Sequence, residues 1–200
     1  MLHDFIKQLG LLPGIGPKTA QRLAYHMLEP GNRNKSLQLA NVIEQSMARI
    51  KPCQQCFDFT DQPICTLCQN PKRNAEQLCV VAYPQDIISI EHSQSFQGQY
   101  FVLMGLLSPL DGIGPDDINI APLLTRLETG NIQEVILAIQ SSVEGQATSY
   151  FIAQQLKNLN IAVTQLAHGI PMGGELEYMD SHTIHQAFSA RNQLQDAENF

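Results

Sequence analysis

The stretch Cys53-Gln54-Gln55-Cys56-Phe57-Asp58-Phe59-Thr60-Asp61-Gln62-Pro63-Ile64-Cys65-Thr66-Leu67-Cys68 separates two parts of a 200-residue chain that differ in texture. It reads C-x2-C-x8-C-x2-C. Each C-x2-C pair makes a turn that brings two sulfurs to one side, and two such turns close a tetrahedral four-sulfur site. Zinc suits it: borderline soft, redox-inert and content with tetrahedral geometry. Four thiolates leave no open coordination position, so Cys53, Cys56, Cys65 and Cys68 point to one structural Zn2+. Two disulfides or four inert core thiols are the plainer alternatives, and an iron–sulfur cluster is the rival metal. Asp58, Thr60, Asp61 and Gln62 make the intervening loop a solvated one, without a core of its own, so metal loss is expected to unfold it. The fifth cysteine, Cys79, lies in an apolar run and reads as an ordinary buried thiol.

Before the cysteines the pattern is helical. Residues 4–9 read as a short helix with Leu2, Phe5, Ile6 and Leu9 on one face. The turn Leu12-Pro13-Gly14-Ile15-Gly16-Pro17 interrupts it, and Pro17 opens a second helix running to about residue 28. Ser36 is expected to begin a third, in which Leu37, Ala40, Val42, Ile43, Met47 and Ile50 recur at helical spacing. Gly14 and Gly16 allow a tight backbone and close approach to another surface. Free N–H groups around Gly16 and the start of the next helix make a phosphate site, aided by the helix dipole. Lys18 and Arg22 stand one turn apart and face the same way. The arrangement resembles the helix-hairpin-helix motif, which holds DNA backbone without reading sequence. The plain alternative is an ordinary helix connection with solvated Lys18 and Arg22.

After the cysteines, apolar runs at 78–83, 100–104, 134–139 and 161–167 alternate with helical patterns near 87–91, 121–128 and 145–159. Such alternation means βαβ units and a mainly parallel sheet covered by helices. The site of an open parallel sheet lies at the carboxyl ends of its strands. Here those ends fall near Ala82-Tyr83-Pro84 and Ile139-Gln140-Ser141, the second leading into Glu144-Gly145-Gln146. A magnesium-dependent phosphoryl-transfer site needs several converging carboxylates. Only Glu144 stands in such a place; Gln140 and Gln146 are neutral, Glu91 falls inside a helix, and Asp86 reads as that helix's cap. The chain has no G-x4-GK[ST] and no G-x-G-x-x-G after the first strand. His168, His182 and His185 read as surface or capping histidines. A helix is expected from 181 to about 194, and disorder at 195–200.

The net charge of −7 argues at first against a polyanion partner, but it is unevenly placed. Residues 1–73 carry nine Lys/Arg and five acids, a net +4; residues 74–200 carry three and fourteen, a net −11. A polyanion would be drawn to the N-terminal third and repelled by the rest. The start lacks a basic segment followed by an apolar one, and no apolar run is long enough to span a bilayer, so a cytoplasmic protein is expected.

The order of parts resembles the RecR family of bacterial recombination mediators. The resemblance rests on LPGIGPKTAQRL (12–23), the four cysteines, LMGLLSPLDGIGPDD (103–117), EVILA (134–138), VEGQAT (143–148) and AHGIPMGGELEY (167–178). It implies an α+β multi-module chain: a helix-hairpin-helix region over 1–52, a four-cysteine zinc module over 53–73, a Toprim-like α/β parallel-sheet domain over 74–168 and a C-terminal arm over 169–200 used in oligomerisation. It further implies a non-enzymatic DNA-binding mediator of recombinational repair. Such proteins act with RecO, and in many bacteria RecF, to help load RecA on gapped or single-stranded DNA. They assemble as dimers or ring-like tetramers. Lys18 and Arg22, with Gly14 and Gly16, would line the DNA, and Glu144 would belong to the partner surface. The chain departs from the family where Ala82 replaces a usual Glu, and where Gln140 and Gln146 thin the acidic cluster. A Toprim-type magnesium-dependent nuclease or topology enzyme is one alternative; a zinc-bearing interaction scaffold is the other.

Overall fold

The computed structural model describes residues 1–167, 169–171, 173–189 and 191, His182 by its backbone alone. The chain forms two compact units, Met1–Lys51 and a second from Pro52 onward. The first holds α1 (Leu2–Leu9), α2 (Pro17–Leu28) and α3 (Arg33–Arg49). Helix α1 starts at Leu2, earlier than its pattern suggests, with the Phe5 N–H donating to the Met1 carbonyl at 2.9 Å. Helix α3 begins at Arg33 rather than Ser36. The Ser36 hydroxyl donates back to the carbonyls of Asn32 and Met27, both at 3.0 Å, which is the bonding of a residue inside a helix and not of a cap. Ala20 and Ala24 are the buried residues of α2, and their small side chains let α1 and α2 approach closely. No residue of α1 or α3 is buried.

The second unit opens with the ribbon β1 (Lys51–Pro52) and β2 (Phe59–Thr60) and the single turn α4 (Thr66–Gln69). It continues as β3 (Asn74–Val81), α5 (Pro84–Ser93), β4 (Gly98–Val102), α6 (Ile120–Thr129), β5 (Glu134–Ala138), α7 (Val143–Leu156) and β6 (Ala162–Gln165). A 3-10 turn at Leu176–Tyr178 and α8 (Ser181–Ser189) follow. The expected helix beyond 189, the tail 195–200 and His168 lie outside the described residues. Among those described, no helix is long and apolar enough to cross a membrane.

Strands β3 to β6 form one parallel sheet in the order β4-β3-β5-β6. Alternation along β3 sends Leu78 and Val80 to one face and Cys79 and Val81 to the other. The first face packs with Phe101, Leu137, Leu123 and Leu127 of α6 and Ile152 and Leu156 of α7. The second packs with Tyr100, Val102 and Ile87 of α5, and reaches Phe57 and Leu67 of the cysteine module. Each fully buried Leu or Phe contributes about 1.5–3 kcal/mol. Strand β3 starts four residues before its apolar run because Asn74 to Gln77 pair as backbone while their side chains face water. Strand β4 stops at Val102, as Met104 turns away with φ +64°.

One ion pair crosses the outer edge of this unit. Arg73, its side chain only 6% exposed, donates to both carboxylate oxygens of Glu91 at 2.6 and 3.0 Å, and its Nε donates to the Gly98 carbonyl at 2.6 Å. Tyr100 donates its hydroxyl to the same carboxylate at 2.6 Å, and its ring lies 5.1 Å beneath the guanidinium. The hydrogen bonds from Arg73 hold the Glu91 carboxyl below its ordinary value of 4.5, outweighing burial. A carboxyl depressed in the folded state stabilises above its unfolded pKa and loses that contribution as pH falls through the folded one. Glu91→Ala should therefore cost about 3 kcal/mol at pH 7 in urea unfolding. The gap between variant and parent should narrow as pH falls below the ordinary value of 4.5 and keep narrowing through the lower folded-state pKa.

Candidate metal centre and nucleic-acid face

The sulfurs of Cys53, Cys56, Cys65 and Cys68 all lie within 4.8 Å of one another, and the first three residues are buried. A tetrahedron of 2.3 Å zinc–sulfur bonds has sulfur–sulfur edges of about 3.8 Å, so the donor set fits one zinc ion. The Cys56 and Cys65 sulfurs stand 3.5 Å apart. The N–H groups of Gln55 and Cys65 donate to the Cys53 sulfur at 3.5 and 3.3 Å. Burial pushes the Cys53 thiol up, but the surrounding backbone N–H groups together bring it down to about 7. Cys56 is pushed up by its contact with Cys68 and by burial, and Cys65 rises to about 11 mainly through burial. Sulfurs crowded this closely cannot all ionise without a cation between them. Among the described residues no other group of three or more Cys, His, Asp or Glu gathers in this way. Cys79 stands apart, 3% exposed, its thiol raised to about 12 by burial and then by the charge of Asp86.

The module is docked on the outer strand of the sheet. The Val102 N–H donates to the Cys56 carbonyl at 2.8 Å, and the Phe57 and Phe101 rings meet at 5.3 Å. Phe57 adopts φ +64° to make that contact, a cost that the knuckle sustains.

The chain adds β4 on one side of β3 and then β5 and β6 on the other, so the crevice of this parallel sheet lies between β3 and β5 at their carboxyl ends. Ala82 is buried there. Tyr83 and Asp86 form a helix start in which the Asp86 carboxylate accepts from the Tyr83 N–H at 2.9 Å, so Asp86 acts in capping from the third helical position. Ser142 caps α7 and accepts from the Gly145 N–H at 3.1 Å. A side chain at Gly145 would sit against the Gln140 carbonyl, so only glycine lets α7 leave β5 so closely. Thr148 is fully buried, accepts from the Leu107 N–H at 2.9 Å and donates to the Glu144 carbonyl at 2.6 Å. This pins the 103–117 loop to α7. Glu144 stands in the first turn of α7 after β5, Gln140 and Gln146 are exposed, and among the described residues no group of three or more acids gathers at this end of the sheet.

In the helical unit, Gly14 takes φ +78°, which requires glycine in practice, and the space in front of Gly14 and Gly16 is open. Gly16 itself has φ −76° and caps α2 in extended geometry, so its backbone does not demand glycine. Pro17 starts the helix as expected. Lys18 and Arg22 are both exposed and share one face of α2. The Asp111 and Asp117 carboxylates at the similar Gly112–Gly114 turn accept from Ser108 and from the Gly114 N–H, which makes that turn an internal brace. The local pattern of the sequence gives no sign of the Arg73–Glu91–Tyr100 cluster or of the Thr148 pin, which join distant segments.

A helical hairpin unit, a four-cysteine zinc site and a doubly wound parallel sheet together define a zinc-bearing, modular Toprim protein. Family models agree part by part: RecR helix-hairpin-helix over 2–47, RecR four-cysteine zinc finger domain over 50–70, Toprim domain over 76–167 and RecR C-terminal over 169–192. The chain is similar to the recombination protein RecR of Legionella pneumophila strain Corby, 52% identical over 190 residues, which is 95% of this chain and 96% of the relative. The RecR proteins of Hydrogenovibrio crunogenus (48% over 191 residues, 96% of each chain) and Coxiella burnetii (44% over 196 residues, 98% of each) are also similar. The chain belongs to the RecR family, and its four-cysteine site is a structural zinc site.

Purified protein should contain one zinc per chain. Its removal by a chelator, or Cys56→Ser, should lower the melting temperature by about 10 °C or more and expose the β4 edge to aggregation. Differential scanning calorimetry with metal analysis checks both.

Proposed function

We propose that the protein is a non-enzymatic mediator of recombinational DNA repair in the cytoplasm, a homo-oligomeric clamp that grips DNA through its helical unit. It would act with RecO, and with RecF where that partner is present, to help load RecA on gapped or single-stranded DNA. The observation that carries this is the concentration of charge: residues 1–51 hold seven Lys/Arg and three acids in a chain of net −7. Within that unit, exposed Lys18 and Arg22 stand beside an open glycine turn and the first turn of α2, where the Lys18 and Thr19 N–H groups have no intrahelical partner. In this reading the region 1–52 binds DNA, 53–73 is the zinc module, 74–168 is the Toprim domain, and the arm 169–200 serves in assembly.

Assembly is supported by α3. Leu37, Val42, Ile43 and Met47 are 62%, 57%, 52% and 75% exposed, although their spacing reads as the buried face of a helix. The single unit has nothing to cover them, and a second copy would. The crevice supports a partner role better than cleavage, since a magnesium site needs several converging carboxylates and among the described residues none gather around Glu144. Glu144 is thus assigned to partner contact.

DNA binding by the parent should fall steeply with salt. In Lys18→Ala/Arg22→Ala the slope of log K against log salt should shrink by about 0.9 for each phosphate no longer neutralised. An unchanged slope would remove the grip proposed here. Magnesium-dependent nicking that Glu144→Gln abolishes would favour the enzyme instead. Ile43→Glu/Met47→Glu should shift the protein to a smaller species in sedimentation velocity, and should weaken DNA binding because fewer positive units act together.

A further inference from the structure

Arg126 is a base in the acidic part of the chain, which has only three Lys/Arg in residues 74–200. It projects from α6 toward the zinc module. Its Nη1 donates to the Gln55 carbonyl at 2.7 Å and to the Tyr100 carbonyl at 2.9 Å, and its Nη2 donates to Gln99 Oε1 at 2.5 Å. Gln55 lies between the first two zinc ligands. One of its flanking peptides donates an N–H to the Cys53 sulfur, and the other, leading to Cys56, is the one Arg126 holds. Among the described residues no carboxylate forms an ion pair with this guanidinium. Burial pulls it down from the ordinary arginine value, and the four cysteine sulfurs push back, Cys68 most.

A zinc ion with four thiolates carries a net charge of −2, and here three of its ligands are buried. Such a centre needs a nearby cation or oriented N–H groups to offset desolvation. We propose that Arg126 is the resident counter-charge of the zinc–thiolate centre, a positioning residue through which helix α6 governs how firmly the metal is held. The guanidinium lowers the basicity of the thiolates and fixes the peptide that presents Cys56. It also occupies the outward carbonyl of Tyr100 on β4, so metal site and sheet edge share one residue.

The test is zinc release from the full-length protein to a chromogenic chelator, followed across pH, with urea unfolding alongside. Arg126→Gln should release zinc about tenfold faster, the usual lower bound for an outer-sphere partner. Its pH of half-release should rise, since thiolates without the counter-charge take up protons more readily. Arg126→Lys keeps the charge but not the fork, and its pH of half-release should stay near the parent's. Gln99→Glu sets an anion beside the guanidinium while preserving an acceptor there; it should speed release as well, and it keeps the question answerable if Arg126→Gln does not fold. Parent-like release in Arg126→Gln or Gln99→Glu would overturn the proposal. So would equal losses in Arg126→Lys and Arg126→Gln, because a purely structural bridge would not distinguish charge from none.

Discussion

Four sulfurs within 4.8 Å, three of them on buried residues, are an arrangement that the polypeptide cannot stabilise unaided. Ionised together they repel; protonated together they are a small cluster backed by little more than Ile64 and Leu67. A divalent cation resolves both problems and converts a stretch without a core into a rigid plate. That plate lies on β4, the outer strand of a four-stranded parallel sheet. Parallel sheets need cover on both faces and at their edges. The Cys56 carbonyl accepts the outward Val102 N–H, and Arg126 satisfies the outward Tyr100 carbonyl. The metal therefore completes the sheet as well as its own loop.

The parts of the molecule that local pattern controls are legible in the sequence. Ligand spacing, the Pro17 helix start and the strand–helix alternation all follow from neighbours in the chain. Element boundaries depart from the pattern where side chains face water: Asn74 to Gln77 pair as strand without showing an apolar period. Ser36 has the composition of a cap, but its hydroxyl bonds backward. The apolar period of α3 is visible, yet period alone does not say whether a face is covered by the same chain or by another.

What sequence does not show are contacts between segments far apart. Arg73 finds Glu91 18 residues on, and Arg126 finds Gln55 71 residues back. Along the chain each looks like a solvated charge. Their meaning arises only once β4 places Gly98, Tyr100 and Val102 beside the zinc module. Long-range buried polar contacts of this kind are what fix the module in one pose, since its few apolar contacts are non-directional.

The uneven charge gives the two units different electrostatic tasks. A unit with net +4 attracts a polyanion, while the chain after residue 73, with net −11, repels one and favours basic or neutral protein surfaces. In a single copy the attraction would be modest and screened within about 8–10 Å at ordinary salt. In the proposed assembly, repeating the positive unit around one duplex would multiply the phosphate contacts without new chemistry, and the exposed α3 face would give copies a reason to associate. The thinning of the crevice to Glu144 fits the same division of labour. Ala82 is buried and Gln140 and Gln146 are neutral at that end of the sheet, which Gly145 and Thr148 hold rigidly. In the proposed mediator, a rigid surface remote in sequence from the basic helices would be free to contact a protein while the helices hold DNA.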